Sequence, residues 1–284
     1  MDPFLDRLEL ACATNKSLLC IGLDVELSKI PVSDPFEFNK AIIDSTLDLC
    51  CAFKPNLAFY EAMGIEGLRV LEKTIGYIRQ SSPTVIIIGD AKRGDIGPSG
   101  KAYAKAMFDF WNFDAVTINA WGGYDTVEPF ISDYQRGAFI WCRGSNPGSS
   151  DLQDLTVESN THHKPIYEIM AQSAETWNVK NNLGLVVGAT VPQQLKAVRE
   201  LCPKQAILIP GVGAQGGDLR QVQTRERPRI RAQSDQRQRR RQAGHLQRHA
   251  GDREPGRRNH RSGPLLGVLR RYPADLRWRG QGRA

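Results

Sequence analysis

No apolar run in this chain approaches the ~20 consecutive residues that a bilayer-spanning helix needs. The opening residues, Met1-Asp2-Pro3-Phe4, put an acid where a secretion signal carries basic residues, and no apolar stretch follows, so no signal peptide is expected. The six cysteines (Cys12, Cys20, Cys50, Cys51, Cys142, Cys202) lack the paired spacing of a metal site or a redox motif. Several lie inside apolar runs, where a free thiol behaves as a small hydrophobe. Together these absences predict a reduced, cytoplasmic protein with no membrane contact. Lysine is also missing, but only from one region: none occurs after residue 219.

That boundary divides the chain. Residues 1–219 carry 19 Lys and Arg against 26 Asp and Glu, a net charge of −7, whereas residues 220–284 carry 19 Arg and 5 acids, a net charge of +14. The overall +7 therefore belongs to the C-terminal part and says nothing about partners of the rest. Residues 220–284 are rich in Arg, Gln and Pro, and only 265–269 and 272–278 hold enough apolar side chains to pack. Such a composition buries too little surface to offset chain entropy and predicts disorder.

The first 219 residues read differently. Short apolar runs at 18–24, 50–57, 84–92, 115–120, 137–143, 183–190 and 206–213 alternate with segments of helical periodicity at 35–49, 64–80, 100–110, 165–177 and 192–201. Alternating strands and helices imply βαβ units around a parallel sheet buried on both faces. Seven strands at this spacing fit an α/β fold, a (β/α)8 TIM barrel whose eighth strand and helix are missing or disrupted. A doubly wound open sheet is disfavoured, because polar residues close strand after strand (Asp24, Lys54, Lys92, Asn119, Arg143, Thr190). Barrels build their sites at all those ends, whereas open sheets concentrate them at one switch point.

The densest chemistry is Asp90-Ala91-Lys92-Arg93-Gly94-Asp95, which follows the run 84–89. Strand alternation points Asp90 and Lys92 to the same side, with Asp95 in the loop that follows. Crowded charges are costly unless paired or used. By themselves the six residues also fit a plain ion pair at a barrel rim. Asp24 alone reads equally as a helix cap, Lys54 as a lysine snorkelling from a strand end, and Ser145-Asn146-Pro147-Gly148 as a turn. The Gly-rich loop 210–218 sets backbone N–H groups before a helix, a suitable phosphate cradle but a weak signal in isolation. His162 and His163 fall in a polar stretch that reads as a solvated loop.

Asp90-Ala91-Lys92-Arg93-Gly94-Asp95 resembles the signature of orotidine 5′-phosphate decarboxylases, in the variant found in many bacteria. Gly22-Leu23-Asp24, Phe53-Lys54-Pro55-Asn56, Ser145-Asn146-Pro147-Gly148 and the 210–218 loop agree in order and spacing. The resemblance covers residues 1–219. It implies a cofactor-free and metal-free conversion of orotidine 5′-monophosphate to UMP in pyrimidine biosynthesis. Lys92 would protonate C6, Asp90 would face the substrate carboxylate, and Lys54 would extend the charge array. Asp24 would bind ribose hydroxyls and Ser145 would read the pyrimidine edge. Pro210, Gly211, Gly213 and Gln215 would close over the phosphate. The resemblance also implies a homodimer in which Asp95 reaches into the partner's site, with Ser99 serving that neighbouring site as well.

Two departures stand out. After Asp95 the family often has a run like Ile-Gly-Ser-Thr-Ala; here Ile96-Gly97-Pro98-Ser99-Gly100 follows, and Pro98 is expected to stiffen a loop. No strand-like run occurs near 230–245, where the family's phosphate-gripping Arg belongs, and Arg231, Arg237 and Arg239 lie in the wrong context for that role. We therefore read residues from about 220 onward as translated in a shifted reading frame. That leaves strands one and seven with unpaired edges, so poor solubility and weak or no activity are expected. The rival reading is a nucleic-acid-binding tail; it is disfavoured because Tyr272 and Trp278 are its only large aromatics. Two other functions fit the pattern. One is a metal-dependent sugar-phosphate decarboxylase of the same superfamily, although Lys54 stands where that group places an acid. The other is an inactive barrel that only binds or dimerises.

Overall fold

The computed structural model describes residues 2–159, 162–212, 216–218 and 266–270. Seven parallel strands form most of a barrel: β1 (Leu19–Leu23), β2 (Ala52–Pro55), β3 (Ile86–Arg93), β4 (Ala115–Ile118), β5 (Gly137–Arg143), β8 (Leu183–Val187) and β9 (Ile207–Val212). Between β5 and β8 lies an antiparallel hairpin of β6 (Thr156–Ser159) and β7 (His162–Pro165). The outer layer comprises α2 (Pro35–Thr46), α3 (Leu57–Ala62), α4 (Gly64–Ser81), α5 (Gly97–Lys105), α6 (Tyr124–Ile131), α8 (Ile166–Trp177) and α9 (Pro192–Leu201), with α1 (Phe4–Thr14) at the N terminus and the one-turn α7 (Ser150–Gln153) after β5.

Two apolar layers hold the barrel. Inside it, Cys20, Ala52, Ile86, Ile88, Ala115, Phe139, Val186 and Leu208 meet Phe4, Leu8, Ala11 and Cys12 of α1, which closes the bottom. Phe4 packs edge-on to Phe139 at a centroid distance of 6.2 Å. Outside it, β-branched and aromatic strand residues such as Ile87, Val116, Ile118 and Ile140 pack under the helices. Strands covered on both faces explain the near-continuous apolar runs. All six cysteines are buried and free, and burial pushes the thiols of Cys20, Cys50 and Cys202 up to about 12, which makes them inert at neutral pH.

Three expectations need correction. The predicted open edge is filled: β10 (Leu266–Arg270) pairs antiparallel with both β1 and β9 and completes a closed barrel. The segment overlaps one of the two apolar stretches of the C-terminal part, and facing edges with free backbone groups are a template for an extended segment that can reach them. The eighth parallel strand of a regular barrel is still absent among the described residues. Secondly, the stretch holding His162 and His163 is a hairpin, not a loop, because Thr156–Ser159 supplies a pairing partner; His163 is solvated and lies 3.3 Å from Glu158. Thirdly, Pro98 stands in the first turn of α5, where a proline costs no hydrogen bond, and does not stiffen a loop. Asn119 does close β4, and its side chain accepts from the Trp121 N–H at 2.9 Å. The expected site residues Gly213 and Gln215, the region 230–245 with its arginines, and Tyr272 and Trp278 lie outside the described residues.

Candidate active site

A cavity of about 210 Å³ opens at the C-terminal ends of the strands. Asp24, Lys54, Asp90, Lys92, Ser145, Pro210 and Gly211 all line it, from β1, β2, β3, β9 and the segment after β5. These residues lie far apart in sequence and share the cavity only because every parallel strand delivers its last residues to one rim.

The centre is an alternating charge row. Lys54 Nζ lies 2.9 Å from Asp90 Oδ2 and 4.0 Å from Asp24 Oδ1, and Lys92 Nζ donates to Asp90 Oδ1 at 2.6 Å. The side chains of Lys54, Asp24 and Asp90 are about nine-tenths covered, while that of Lys92 is 40% exposed to the cavity. Asp90 and Lys92 do share one side, but simple alternation is not the whole reason. The β3–β4 register slips between Gly89 and Arg93, and Lys92 adopts φ of +47°. A left-handed backbone costs a non-glycine residue roughly 1–2 kcal/mol. Here it is held by the Lys92 N–H donating to Thr117 Oγ1 at 3.1 Å, while the Thr117 hydroxyl donates to Asp90 Oδ1 at 2.7 Å. Strain of this kind is retained where surrounding contacts over-determine it.

Burial alone would push the Asp90 carboxyl up, but the ammonium groups of Lys54 and Lys92 and the hydrogen bonds from Lys92 and Thr117 outweigh it and hold Asp90 well below its ordinary 3.8. Burial likewise works against the Lys54 ammonium; Asp90 and Asp24 overcome it and hold Lys54 above its ordinary 10.5. Asp24 behaves differently. Burial raises it, Lys54 draws it part of the way back, and Asp90 adds to the rise. Its Oδ1 is buried without a hydrogen-bond partner beside the cavity, an acceptor waiting for a donor.

Asp95 stands outside this cluster. It is exposed, and its carboxylate accepts from the Ile96 N–H at 2.8 Å. Ser99 is exposed as well and does not line the cavity. Among the described residues, no group of three or more His, Cys, Asp or Glu side chains could hold a metal ion.

Thr117, Asn56, Trp141, Gly144 and Asn146 line the cavity without having been singled out as site residues. Thr117 had one faint signal, a lone hydroxyl in the middle of the buried strand Ala115–Ile118. Trp141 had none; it shows itself only in the structure, as a strand residue 39% exposed between buried neighbours that lines the cavity.

A family model described as "Orotidine 5'-phosphate decarboxylase / HUMPS family" matches residues 17–236. The orotidine 5′-phosphate decarboxylase of a Roseiflexus species is 48% identical over 221 residues, spanning 74% of this chain and 79% of that protein. That of Dehalococcoides mccartyi is 47% identical over 218 residues, spanning 76% and 80%. A putative orotidine-monophosphate decarboxylase from Toxoplasma gondii, solved by crystallography, superposes with a TM-score of 0.73 at 36% identity, covering 78% of this chain and 82% of that one.

Proposed function

The chain belongs to the orotidine 5′-phosphate decarboxylase / HUMPS family, and from that premise we propose that it converts orotidine 5′-monophosphate to UMP and carbon dioxide in pyrimidine biosynthesis. The observation that carries the reading is the row Lys54–Asp90–Lys92 facing one cavity. Breaking the bond between C6 and the carboxylate leaves an electron pair on C6. The Lys92 ammonium stabilises that charge and then donates its proton to C6. Asp90, ionised and fixed by three donors, stands against the departing carboxylate. Lys54 keeps Asp90 charged. Asp24 takes ribose hydroxyl donors on its free oxygen, and Ser145 reads the pyrimidine edge. Pro210 and Gly211, with Gly213 and Gln215, embrace the phosphate. The exposed segment from Asp95 to Ser99, with Ile96 62% exposed, fits a homodimer interface through which Asp95 and Ser99 serve the neighbouring site.

The same row supports a reaction without metal. The Lys54 ammonium already occupies the space between the carboxylates of Asp24 and Asp90, so a divalent cation there would face a fixed positive charge. Full-length protein incubated with orotidine 5′-monophosphate should release UMP at a rate unchanged by a chelator. Loss of activity in the chelator, restored by Mg2+, would instead favour the sugar-phosphate decarboxylase reading.

The C-terminal part sets the level of that activity. We read residues 220–284 as frame-shifted, so the cationic grip on the phosphate is lacking. Binding energy from a remote phosphate is spent on the chemical step. Replacing residues 220–284 with the corresponding segment of a relative should raise kcat/KM about 100-fold, the worth of one charge-assisted phosphate contact. Equal kcat/KM in the two versions would overturn the expected loss of activity, and coding DNA with no alternative frame that yields a strand bearing an Arg would rule out the frame-shift account. UMP binding without turnover in the restored version would favour the inactive-barrel reading.

A further inference from the structure

We propose that Arg143, Gln153 and Asp154 are positioning residues that clamp the segment Gly144-Ser145-Asn146 and thereby set the discrimination between uracil and cytosine. The proposal rests on the decarboxylase reading and deepens it. None of the three residues lines the cavity, whereas Gly144, Ser145 and Asn146 all do.

Arg143 ends β5 and is 3% exposed. A guanidinium so deeply buried is costly unless its donors are answered. Asp154 accepts from Nε at 2.9 Å and from Nη2 at 2.7 Å, a bidentate pair. Nη1 donates to the Gly144 carbonyl at 2.9 Å and to the Ser149 hydroxyl, which in turn donates to the Asn146 carbonyl. Gln153 Oε1 accepts the Gly144 N–H at 2.8 Å. The Gly144 N–H is thus held by Gln153 from the turn that follows, and its carbonyl by Arg143 at the end of β5.

The other flank is held from the end of β8. A Cβ on Gly188 would lie 2.7 Å from Ser145 Cα, so the two backbones meet at a distance only glycine allows. Thr190 Oγ1 donates to the Ser145 carbonyl at 2.8 Å. Squeezed between these supports, the segment has its backbone fixed at Gly144 and at the Ser145 and Asn146 carbonyls, so whatever it offers a base is held in place.

Uracil and cytosine differ by reversed hydrogen-bonding at N3 and at the 4-substituent. A reader of that edge discriminates only while its own donors and acceptors stay in register with the base. A displacement of about 1 Å can cost as much as 100-fold. Gln153→Met and Arg143→Lys leave the charge of the clamp unchanged, so their effect should come through loop geometry and not through the field at C6.

The test uses the full-length chain and calorimetric titration with UMP and CMP. Wild type should prefer UMP. Gln153→Met and Asp154→Asn should each reduce the UMP:CMP affinity ratio by about tenfold, and Arg143→Lys, which keeps the charge but loses the fork, should match Asp154→Asn. Gln153 is only partly buried, so Gln153→Met should keep the wild-type melting temperature and separate recognition from folding. If Gln153→Met and Asp154→Asn retain the wild-type ratio, whatever their melting temperatures, the clamp is a brace and the proposal fails alone. If wild type itself shows no preference for UMP, the decarboxylase reading falls and takes this proposal with it.

Discussion

Replacing Lys92 with alanine should lower kcat/KM for orotidine 5′-monophosphate by about 10^4-fold or more, in the full chain and in the version with a restored C terminus. One amine is asked to do two things here. A positioned proton donor is worth roughly 10^2–10^4, and a fixed charge facing a developing anion another 10^2–10^3. Because one group supplies both, the effects need not multiply. Lys92 suits the task because only it among the buried row reaches into open cavity; Lys54 is spent on Asp90 and Asp24. Lys92→Arg should be about as inactive, since a guanidinium keeps the charge yet does not release its proton near neutrality. Both variants should still bind UMP, because ribose, base and phosphate are assigned to other residues. A loss below tenfold in Lys92→Ala would remove Lys92 from the chemistry and leave it as an ion-pair partner.

The left-handed backbone at Lys92 sharpens this expectation. An ion pair with Asp90 alone does not need φ of +47°, since long flexible side chains two apart on a strand can meet without it. The register slip between Gly89 and Arg93 and the Thr117 contacts aim the amine at a fixed point, which a proton donor requires. None of that was legible in the sequence. Alternation predicts the shared side of Asp90 and Lys92, but a bulge arises from pairing with β4, which lies more than twenty residues away.

The barrel itself was legible because parallel strands buried on both faces must be continuous apolar runs. Gly137–Arg143 and Ile207–Val212 each fall inside such a run, and Ile86–Arg93 passes the end of its run by one residue. The pairing of Thr156–Ser159 with His162–Pro165 was not, since these strands carry mostly polar residues and lack the apolar run that marks the others. Thr117 escaped for the opposite reason: a single hydroxyl in Ala-Val-Thr-Ile reads as core until its partners are known. The filling of the barrel gap by Leu266–Arg270 was half visible, as a packable apolar stretch without a direction. Direction is a property of the edges it meets, and β1 and β9 sit far away in sequence.

Replacing Lys54 with methionine should destabilise the fold by about 3–5 kcal/mol, the usual cost of stranding buried charges by removing their partner. For a barrel of this size that is a drop of roughly 10 °C in melting temperature. Methionine conserves the length of the side chain, so the loss is electrostatic and not a cavity. Asp24 would lose its ammonium and Asp90 would keep only Lys92, leaving two covered carboxylates to share one cation. The sign with pH follows from each group. Asp90 sits below its ordinary 3.8, so its contribution is present above that value and fades as pH falls through its folded value. Lys54 sits above its ordinary 10.5, so its contribution is complete below 10.5 and is lost as pH rises through its folded value. Asp24 sits above 3.8, so its ionisation works against the fold once pH passes that range. In wild type the row is therefore most favourable between about pH 4 and pH 10. Without Lys54, Asp24 should prefer the neutral form while Asp90 keeps Lys92 and Thr117, and Lys54→Met should be less destabilised at pH 5 than at pH 8. The double variant Lys54→Met/Asp90→Asn should recover more than half of the lost stability at pH 8 while remaining inactive, because it removes the stranded charge but not the need for it. Melting curves of the three proteins at the two pH values decide the matter. A Lys54→Met variant as stable as wild type at pH 8 would mean that Asp24 and Asp90 are solvated well enough to stand alone, and that the row does not constrain Asp90 at all.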